Sequence, residues 1–354
     1  MQNSGQERAA ETPITLSDDD HLLVAALQET PRAPWTDIGA RLGVSGTTAA
    51  RRWNRLRSHG VAWVAAYPAR MVPVTAFCWV TTTPAARRPV GVALAGHSSS
   101  YWVERLDGDR TYFAGFGATS MRAMDAVVDD LCAIPGVTDV QMQFTRSVLH
   151  DGTIWQPRLA GPVDQDHPLV WSPREPVVAT PSASDLALFR VLVLDARASN
   201  LELAEASGLS ERTVRRRLEE MFGPGGLTTR CDVSREAIGM GTSFFLSVRW
   251  TARWQTLLGV ANRDPGARLV AGVSGSAPFL LHFWARSAAE MDAVIGRLQA
   301  VVPDLEIERI DVAVRALKRF GFYFDPHGRI AGTTFDDPAH DFFGAALGRV
   351  AAET

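Results

Sequence analysis

Apolar residues at helical spacing (Leu22, Leu23, Ala26 and Leu27) follow Ser17 and three consecutive acids, Asp18, Asp19 and Asp20. A capping hydroxyl and an acidic first turn suit a helix start, so this pattern predicts a helix over Leu16 to Leu27. Pro31 and Pro34 close it. Thr36 is expected to cap a second helix running to about Leu42, Gly43 to make a turn, and Ser45 to cap a third helix reaching about His59. The pattern then changes period. Val61 to Tyr67, Val74 to Thr82, Tyr101 to Leu106 and Thr111 to Phe116 are rich in β-branched and aromatic residues and read as strands. One helix is expected after Pro84 or Pro89 and another from Ser120 to about Ala133. Pro135-Gly136 then turns the chain into a last strand, Val137 to Phe144. Three helices in helix-turn-helix order are thus followed by β-α-β-β-α-β, the ferredoxin-like arrangement.

The same order recurs. Asp20-His21-Leu22-Leu23, Ser45 and Arg51-Arg52 correspond to Asp185-Leu186-Ala187-Leu188, Ser210 and Arg216-Arg217. The differences 185 minus 20, 210 minus 45 and 216 minus 51 all give 165. Met124-Asp125-Ala126-Val127 returns as Met291-Asp292-Ala293-Val294, at an offset of 167. One offset shared by independent landmarks points to tandem duplication of a two-part unit. Helices are expected at Ser184 to Leu194, Asn200 to Ser207 and Ser210 to Met221, before a Gly223-Pro224-Gly225-Gly226 turn. Strands follow at Leu227 to Val233, Ser243 to Trp250, Arg268 to Ser274, Phe279 to Ala285 and Leu305 to Val314, with a helix at Ala288 to Val301. The fold class is α+β, with two copies of a three-helix helix-turn-helix plus a ferredoxin-like βαββαβ domain. The expected divisions are helix-turn-helix domain 1 over 16–62, ferredoxin-like domain 1 over 63–150 and a Pro-rich linker over 151–181. Helix-turn-helix domain 2 follows over 182–226, ferredoxin-like domain 2 over 227–319 and a C-terminal tail over 320–354.

Composition narrows the class. The chain of 354 residues is 46% hydrophobic, enough for several buried cores. Met1 to Thr15 carries no apolar run, and the most apolar window, Val61 to Val80, is broken by Pro68, Arg70 and Pro73, so neither a signal peptide nor a membrane span is expected. Cys78, Cys132 and Cys231 are odd in number and far apart, as buried reduced thiols of a cytoplasmic protein would be. The formal charge of -3 excludes a generally basic protein, yet five arginines and no acid lie between Arg41 and Gly60. Basic character is local, as a docking surface requires.

The third helix of each set carries that character. Ser45, Thr47, Thr48, Arg51, Arg52 and Arg55 lie along the first, with Ala49, Trp53 and Leu56 as its buried side. Ser210, Arg212, Thr213, Arg215, Arg216 and Arg217 lie along the second, with Val214, Leu218 and Met221 inward. Small hydroxyls near a helix start reach phosphates or base edges, and arginines pair with guanine or phosphate. The second helix also holds Glu211, Glu219 and Glu220 and is expected to bind phosphate less strongly.

At these residues, from Asp20 to Leu56 with Leu42-Gly43-Val44-Ser45 and from Asp185 to Leu218 with Gly208-Leu209-Ser210, the chain resembles the Lrp/AsnC (feast/famine) family of transcription regulators. Trp102 to Phe113, Val270 to Leu281 and Ile134-Pro135-Gly136-Val137 carry the resemblance into the second module. The resemblance implies an N-terminal helix-turn-helix on duplex DNA and a sensing domain that dimerises face to face, here as a pseudo-dimer within one chain that is able to associate further. It also implies effector binding at sensing-domain interfaces near the turn between the second and third strands, here Gly108-Asp109 and Ser274-Gly275-Ser276, and the tryptophan content adds Trp102 as a candidate aromatic wall. Where the family usually has an acid three residues past the glycine, this chain has Thr111 and Pro278, and neither offers a carboxylate to an amino-acid ammonium. Trp79, Trp102, Trp250 and Trp284 either line a pocket for a flat ligand or fill a sheet-to-sheet interface.

No metal-ligand spacing joins the eight histidines, and no dinucleotide fingerprint, P-loop or nucleophile elbow occurs. The expectation is a cytoplasmic transcription regulator that is not an enzyme, with no cofactor and no metal. Its partners are double-stranded DNA and a small-molecule effector, and it has none in the membrane. Two other readings use the same residues: an assembly or ligand-binding protein without DNA contact, and an enzyme like the sirohaem decarboxylases related to this family, for which His97, His150 and His282 are the scattered candidates.

Overall fold

A computed structural model describes residues 14–68, 74–151, 182–223, 226–249 and 251–334. The expected linker over 152–181, the Pro224-Gly225 part of the turn, Trp250 and the tail beyond 334 lie outside the described residues. Helices α1 (Asp18–Glu29), α2 (Trp35–Arg41) and α3 (Gly46–Ser58) form the first helix-turn-helix, and α6 (Ala183–Leu194), α7 (Asn200–Ser207) and α8 (Glu211–Met221) the second. Ser17 and Ser182 each close a capping box with the aspartate three residues on, while Ser45 and Ser210 cap the third helices through the amides of Thr48 and Thr213. Thr36 is no cap. It lies inside α2, which starts after Pro34 without a side-chain cap. Gly43 and Gly208 hold φ of 66° and 69° at the two tight turns, a conformation that a Cβ makes costly.

Strand β1 (Ala62–Pro68) leaves the first helix-turn-helix and β6 (Leu227–Val233) the second, and the two pair antiparallel as a separate ribbon. In its register Ala65 faces Arg230. These two residues are also counterparts at the offset of 165, so a pseudo-twofold axis passes between them. Helix α1 packs on β6 and α6 on β1, so each helix-turn-helix leans on the other's strand. Leu23, Leu27, Ile38, Trp53 and Leu56 of one set share a single buried core with Leu188, Leu192, Leu203, Val214 and Leu218 of the other.

The α/β modules contain β2 (Val74–Thr82), α4 (Arg87–Gly96), β3 (Ser100–Leu106), β4 (Tyr112–Ala118), α5 (Met121–Ala133) and β5 (Val137–Asp151), then β7 (Thr242–Val248), α9 (Trp254–Arg263), β8 (Ala267–Val273), β9 (Phe279–Ala285), α10 (Ala288–Val301) and β10 (Ile307–Arg319). Helix α9, implied by the expected βαββαβ order but given no range there, completes the second module. Within each module the strands follow the ferredoxin-like order, β3-β4-β2-β5 and β8-β9-β7-β10. Strands β5 and β10 run beyond the expected Phe144 and Val314. Thr145 to Asp151 of β5 pairs with β8, and Ala313 to Arg319 of β10 pairs with β3. These two seams close the eight strands into one antiparallel barrel and leave no free edge between the modules. Helices α4 and α5 cover one outer face and α9 and α10 the other. Inside, Phe113 stacks on Phe245 with ring centroids 4.1 Å apart, and Phe77, Trp79 and Trp102 fill the space around them. Trp79 and Trp102 are therefore packing residues of the barrel interior. After β10, residues 322–324 and 330–333 form short strands β11 and β12, and Ile330 N–H donates to the Gly60 carbonyl beside the ribbon.

Candidate functional site

The polar face of α3 is turned to solvent, with Ala49, Trp53 and Leu56 beneath it, and α8 repeats this over Val214 and Leu218. The two Ser-Thr pairs are superposable at the offset of 165: Ser45 Oγ and Thr48 Oγ1 are 2.9 Å apart, as are Ser210 Oγ and Thr213 Oγ1. Thr47 is exposed one residue before Thr48.

The arginines divide into two groups. Arg52 Nη2 is 2.8 Å from Asp19 and Arg55 Nη2 is 2.6 Å from both carboxylate oxygens of the buried Asp20. Burial acts to raise the Asp20 carboxyl, but hydrogen bonds from the Ser17 hydroxyl and amide and the charge of Arg55 outweigh it and hold it below the usual range. In the second unit Arg217 is 3.7 Å from Asp185 and 3.1 Å from Glu220, and Arg216 is 3.6 Å from Glu220. Arg51, Arg212 and Arg215 are exposed and make no ion pair among the described residues. The acid-free run from Arg41 to Gly60 is therefore not acid-free in space. Acids of α1 neutralise it, and α3 keeps one uncommitted arginine where α8 keeps two. The expected ranking of the helices by charge loses its physical basis.

The two helix-turn-helix units are locked across the axis by counterpart residues. Arg32 donates to the Ala196 carbonyl, while Arg197 donates to the carbonyls of Pro31 and Ala33 and stacks over Trp35, with 3.9 Å to the ring centroid.

Where the ribbon meets the base of the barrel, a buried charged cluster forms that the sequence reading passed over. Glu104, fully buried, accepts from Trp102 Nε1 at 2.9 Å, Arg319 at 3.0 Å and Arg235 at 3.4 Å. Asp232 accepts from the Tyr67 hydroxyl at 2.7 Å, Arg230 at 2.8 Å and Arg268 at 3.5 Å. Burial opposes ionisation of Asp232, but the charges of Arg230 and Arg268 prevail and keep it below the usual carboxylate range. His282 stacks on Phe245 and bonds Ser243 at 2.8 Å. Burial first, then Arg319, Arg268 and Arg235, press it well below the ordinary imidazole value, so it is neutral. The signal in the sequence was charge inside apolar strands: Glu104 in β3, and Arg230 alternating with Asp232 in β6.

The effector candidates are not brought together. Gly108-Asp109 and Ser274-Gly275-Ser276 cap the far end of the barrel, whereas Trp102 lies among Phe113, Phe245 and His282 near its base. Asp109 pairs with Arg309, Ser276 Oγ donates to Glu308 at 3.1 Å, and Ser274 Oγ accepts from the Phe144 amide at 2.9 Å. Thr111 is buried and its hydroxyl accepts from the Thr82 amide. The histidines are apart as well: His97 ends α4 beside Asp130, His150 pairs with Val270 on the outward face of the barrel wall, and His282 shares the inward face with Leu269. Among the described residues no group of three or more His, Cys, Asp or Glu side chains could hold a metal ion, and no helix is long and apolar enough to cross a membrane.

The AsnC-type helix-turn-helix domain matches residues 16–57 and 183–221. The chain thus carries two AsnC-type helix-turn-helix domains, and the resemblance to the Lrp/AsnC proteins is borne out. No curated protein matches the sequence at a significant level. Among solved structures, the siroheme decarboxylase NirDL in co-complex with an iron-uroporphyrin III analogue is similar with a TM-score of 0.60 and 11% identity, over 95% of this chain and 100% of that chain. A second structure of NirDL gives 0.59 and 11%, over 94% and 99%. The transcriptional regulator NMB0573 from Neisseria meningitidis, in complex with L-Met, is 24% identical over 38% of this chain and 91% of that chain, with a TM-score of 0.33. The expectation that the chain is not an enzyme does not stand, because NirDL, whose two structures are alike over 95% and 94% of the chain, is an enzyme. The lack of a familiar catalytic motif in the sequence was no argument against an enzyme, because a fold does not fix function.

Proposed function

We propose that the chain is a transcriptional regulator of the Lrp/AsnC type that binds duplex DNA through α3 and α8 and senses a small molecule through the modules joined to them. The observation that carries this reading is the pair of AsnC-type domains held in one core about a pseudo-twofold axis, each with the polar face of its third helix in solvent. Helices related by such an axis meet the two strands of a duplex in opposite directions, as half-sites require. The helices differ in residue and charge, so the preferred site is asymmetric. A mobility-shift titration against DNA upstream of its own gene, at two salt concentrations with nonspecific competitor, tests the reading. A specific, salt-sensitive shift is expected, and binding without specificity or no binding overturns it.

The ion pair between Asp19 and Arg52 restrains one phosphate-binding group and places a negative charge beside the duplex. Asp19→Asn should therefore raise DNA affinity about twofold to fivefold at low salt, the scale of a surface charge effect of up to about 1 kcal/mol. An unchanged affinity would remove Arg52 from the docking surface.

The whole-chain likeness to NirDL favours a second reading, an enzyme acting on a tetrapyrrole of the sirohaem class. Adding iron-uroporphyrin to the protein and recording its absorbance decides on this reading: a shifted, saturable band supports it, and a spectrum identical to that of the free compound sinks it.

A further inference from the structure

The pseudo-twofold axis through Ala65 and Arg230 sets up two equivalent places between the helix-turn-helix units, and the chain treats them differently. On one side Arg57 pairs with Asp195 at 2.7 Å and the Ala196 amide donates to the Val64 carbonyl at 2.8 Å. Adding 165 to Arg57 and Val64 and subtracting it from Asp195 and Ala196 gives the other side: Phe222, Thr229, Thr30 and Pro31. No ion pair is possible there, and proline has no N–H to donate to Thr229. That side is open as a pocket of about 560 Å³ lined by Thr30, Pro31, Arg32, Ala33, Phe222, Leu227, Thr228 and Thr229.

The lining defines the occupant. Its charged member is Arg32, whose guanidinium carbon stands 5.8 Å from the Phe222 ring centroid. Arg197, its counterpart, is committed to two carbonyls and a tryptophan face, whereas Arg32 gives one bond to Ala196. A guanidinium has five N–H donors in a plane and matches a carboxylate bidentately. Phe222, Leu227, Pro31 and Ala33 supply an apolar wall, and Thr228 and Thr229 supply hydroxyls, that of Thr30 being engaged by the Ala26 carbonyl and Arg41. No acid lines the pocket, and the neighbouring Asp195 is held by Arg57, so an ammonium group finds no carboxylate to neutralise it.

We propose that this open side binds a small organic carboxylate with an apolar or aromatic body and no amine, a 2-oxo acid rather than an amino acid. The occupant touches the α1–α2 connection of one helix-turn-helix together with Phe222, which caps α8, and β6 of the other. It therefore bridges the two domains where the counterparts of the Arg57–Asp195 ion pair and the Ala196–Val64 hydrogen bond are missing. That it changes DNA affinity rests on the regulator reading; that it binds does not.

Binding is measured on the full chain without DNA, by thermal unfolding with phenylpyruvate and, in parallel, phenylalanine. Phenylpyruvate should raise the melting temperature saturably, by about 5 °C at a hundredfold excess over its Kd, and phenylalanine should not. The triple substitution Thr30→Asp, Pro31→Ala, Phe222→Arg copies the sealed side onto the open one and should abolish the shift. Ala33→Trp, which only fills the pocket, should do the same and stands in if the triple variant does not fold. No shift with phenylpyruvate, a shift of equal size with phenylalanine, or a shift that survives both variants overturns the proposal. A mobility-shift assay with and without phenylpyruvate then tests the regulatory consequence separately, because protein that binds the acid and no DNA refutes only the regulator reading.

Discussion

Replacing Arg51, Arg212 and Arg215 together by alanine should leave the melting temperature unchanged and lower affinity for duplex DNA roughly 100-fold at low salt. The three guanidinium groups are exposed and outside the ion-pair sets that tie Arg52, Arg55, Arg216 and Arg217, so the fold loses no partner with them. On DNA each stands to make one charge-assisted contact worth about 1 kcal/mol net, and three such contacts make about two powers of ten. The salt dependence gives the sharper reading. Each phosphate contact releases counterions and contributes about 0.9 to the slope of log K against log salt, so the triple variant should flatten that slope by about 2.7. Titrations at four salt concentrations measure both quantities. If affinity falls while the slope stays the same, the residues read bases and do not neutralise phosphate; if neither changes, α3 and α8 are not the docking elements. Arg52→Ala alone should cost less than the triple substitution, because only one guanidinium is lost and it is already shared with Asp19.

The helix-turn-helix units were legible because their signals are local. Ser17, Ser45 and Ser210 announce helix starts through hydrogen bonds to amides three residues on, and Gly43 and Gly208 are needed by their own backbone angles, whereas the Ser182 cap lies two residues before the expected start at Ser184. The strand order within each module followed from β-branched and aromatic runs for the same reason. What could not be read depends on partners far away in the chain. Thr145 to Asp151 has no apolar alternation of its own and is a strand because β8 offers it an edge, and residues 315–319 likewise depend on β3. Both extensions are products of barrel closure, and so is the charged cluster, in which Glu104, Arg235 and Arg319 come from three distant segments. Charge on α3 misled for the same reason: counting residues from 41 to 60 omits Asp19 and Asp20, which face Arg52 and Arg55 from the previous helix. The effector candidates followed the turns of the resembled family, and the geometry leaves those turns at one end of the barrel with Trp102 near the other.

The barrel seam also sets up the largest effect expected on stability. Lys318 lies in the part of β10 that pairs with β3, opposite Val103, and its side chain is fully buried. Its Nζ reaches Ser100 Oγ at 3.0 Å and the His97 carbonyl at 3.4 Å, and faces the Tyr323 ring at 5.8 Å. These are neutral partners, so nothing offsets the loss of hydration, and burial pushes the ammonium down to about 7 from its ordinary 10.5. Between those two values the unfolded chain holds a proton that the folded chain has released. Stability must therefore rise with pH across that window, by about 1.4 kcal/mol per unit, or between two and three kcal/mol from pH 7 to pH 9. Below pH 7 both states carry the proton, the slope from this group vanishes and its full desolvation cost remains. Lys318→Met keeps the length and apolar stem of the side chain and leaves Ser100 satisfied, since its hydroxyl donates to the His97 carbonyl at 2.9 Å. The variant should be more stable than the parent by a few kcal/mol at pH 6.5, with the difference shrinking steadily toward pH 9. Urea unfolding of both proteins at pH 6.5, 7.5, 8.5 and 9 measures this difference. Parallel pH profiles would mean that Lys318 stays charged in the fold, and that water or an unseen partner reaches the seam between β10 and β3.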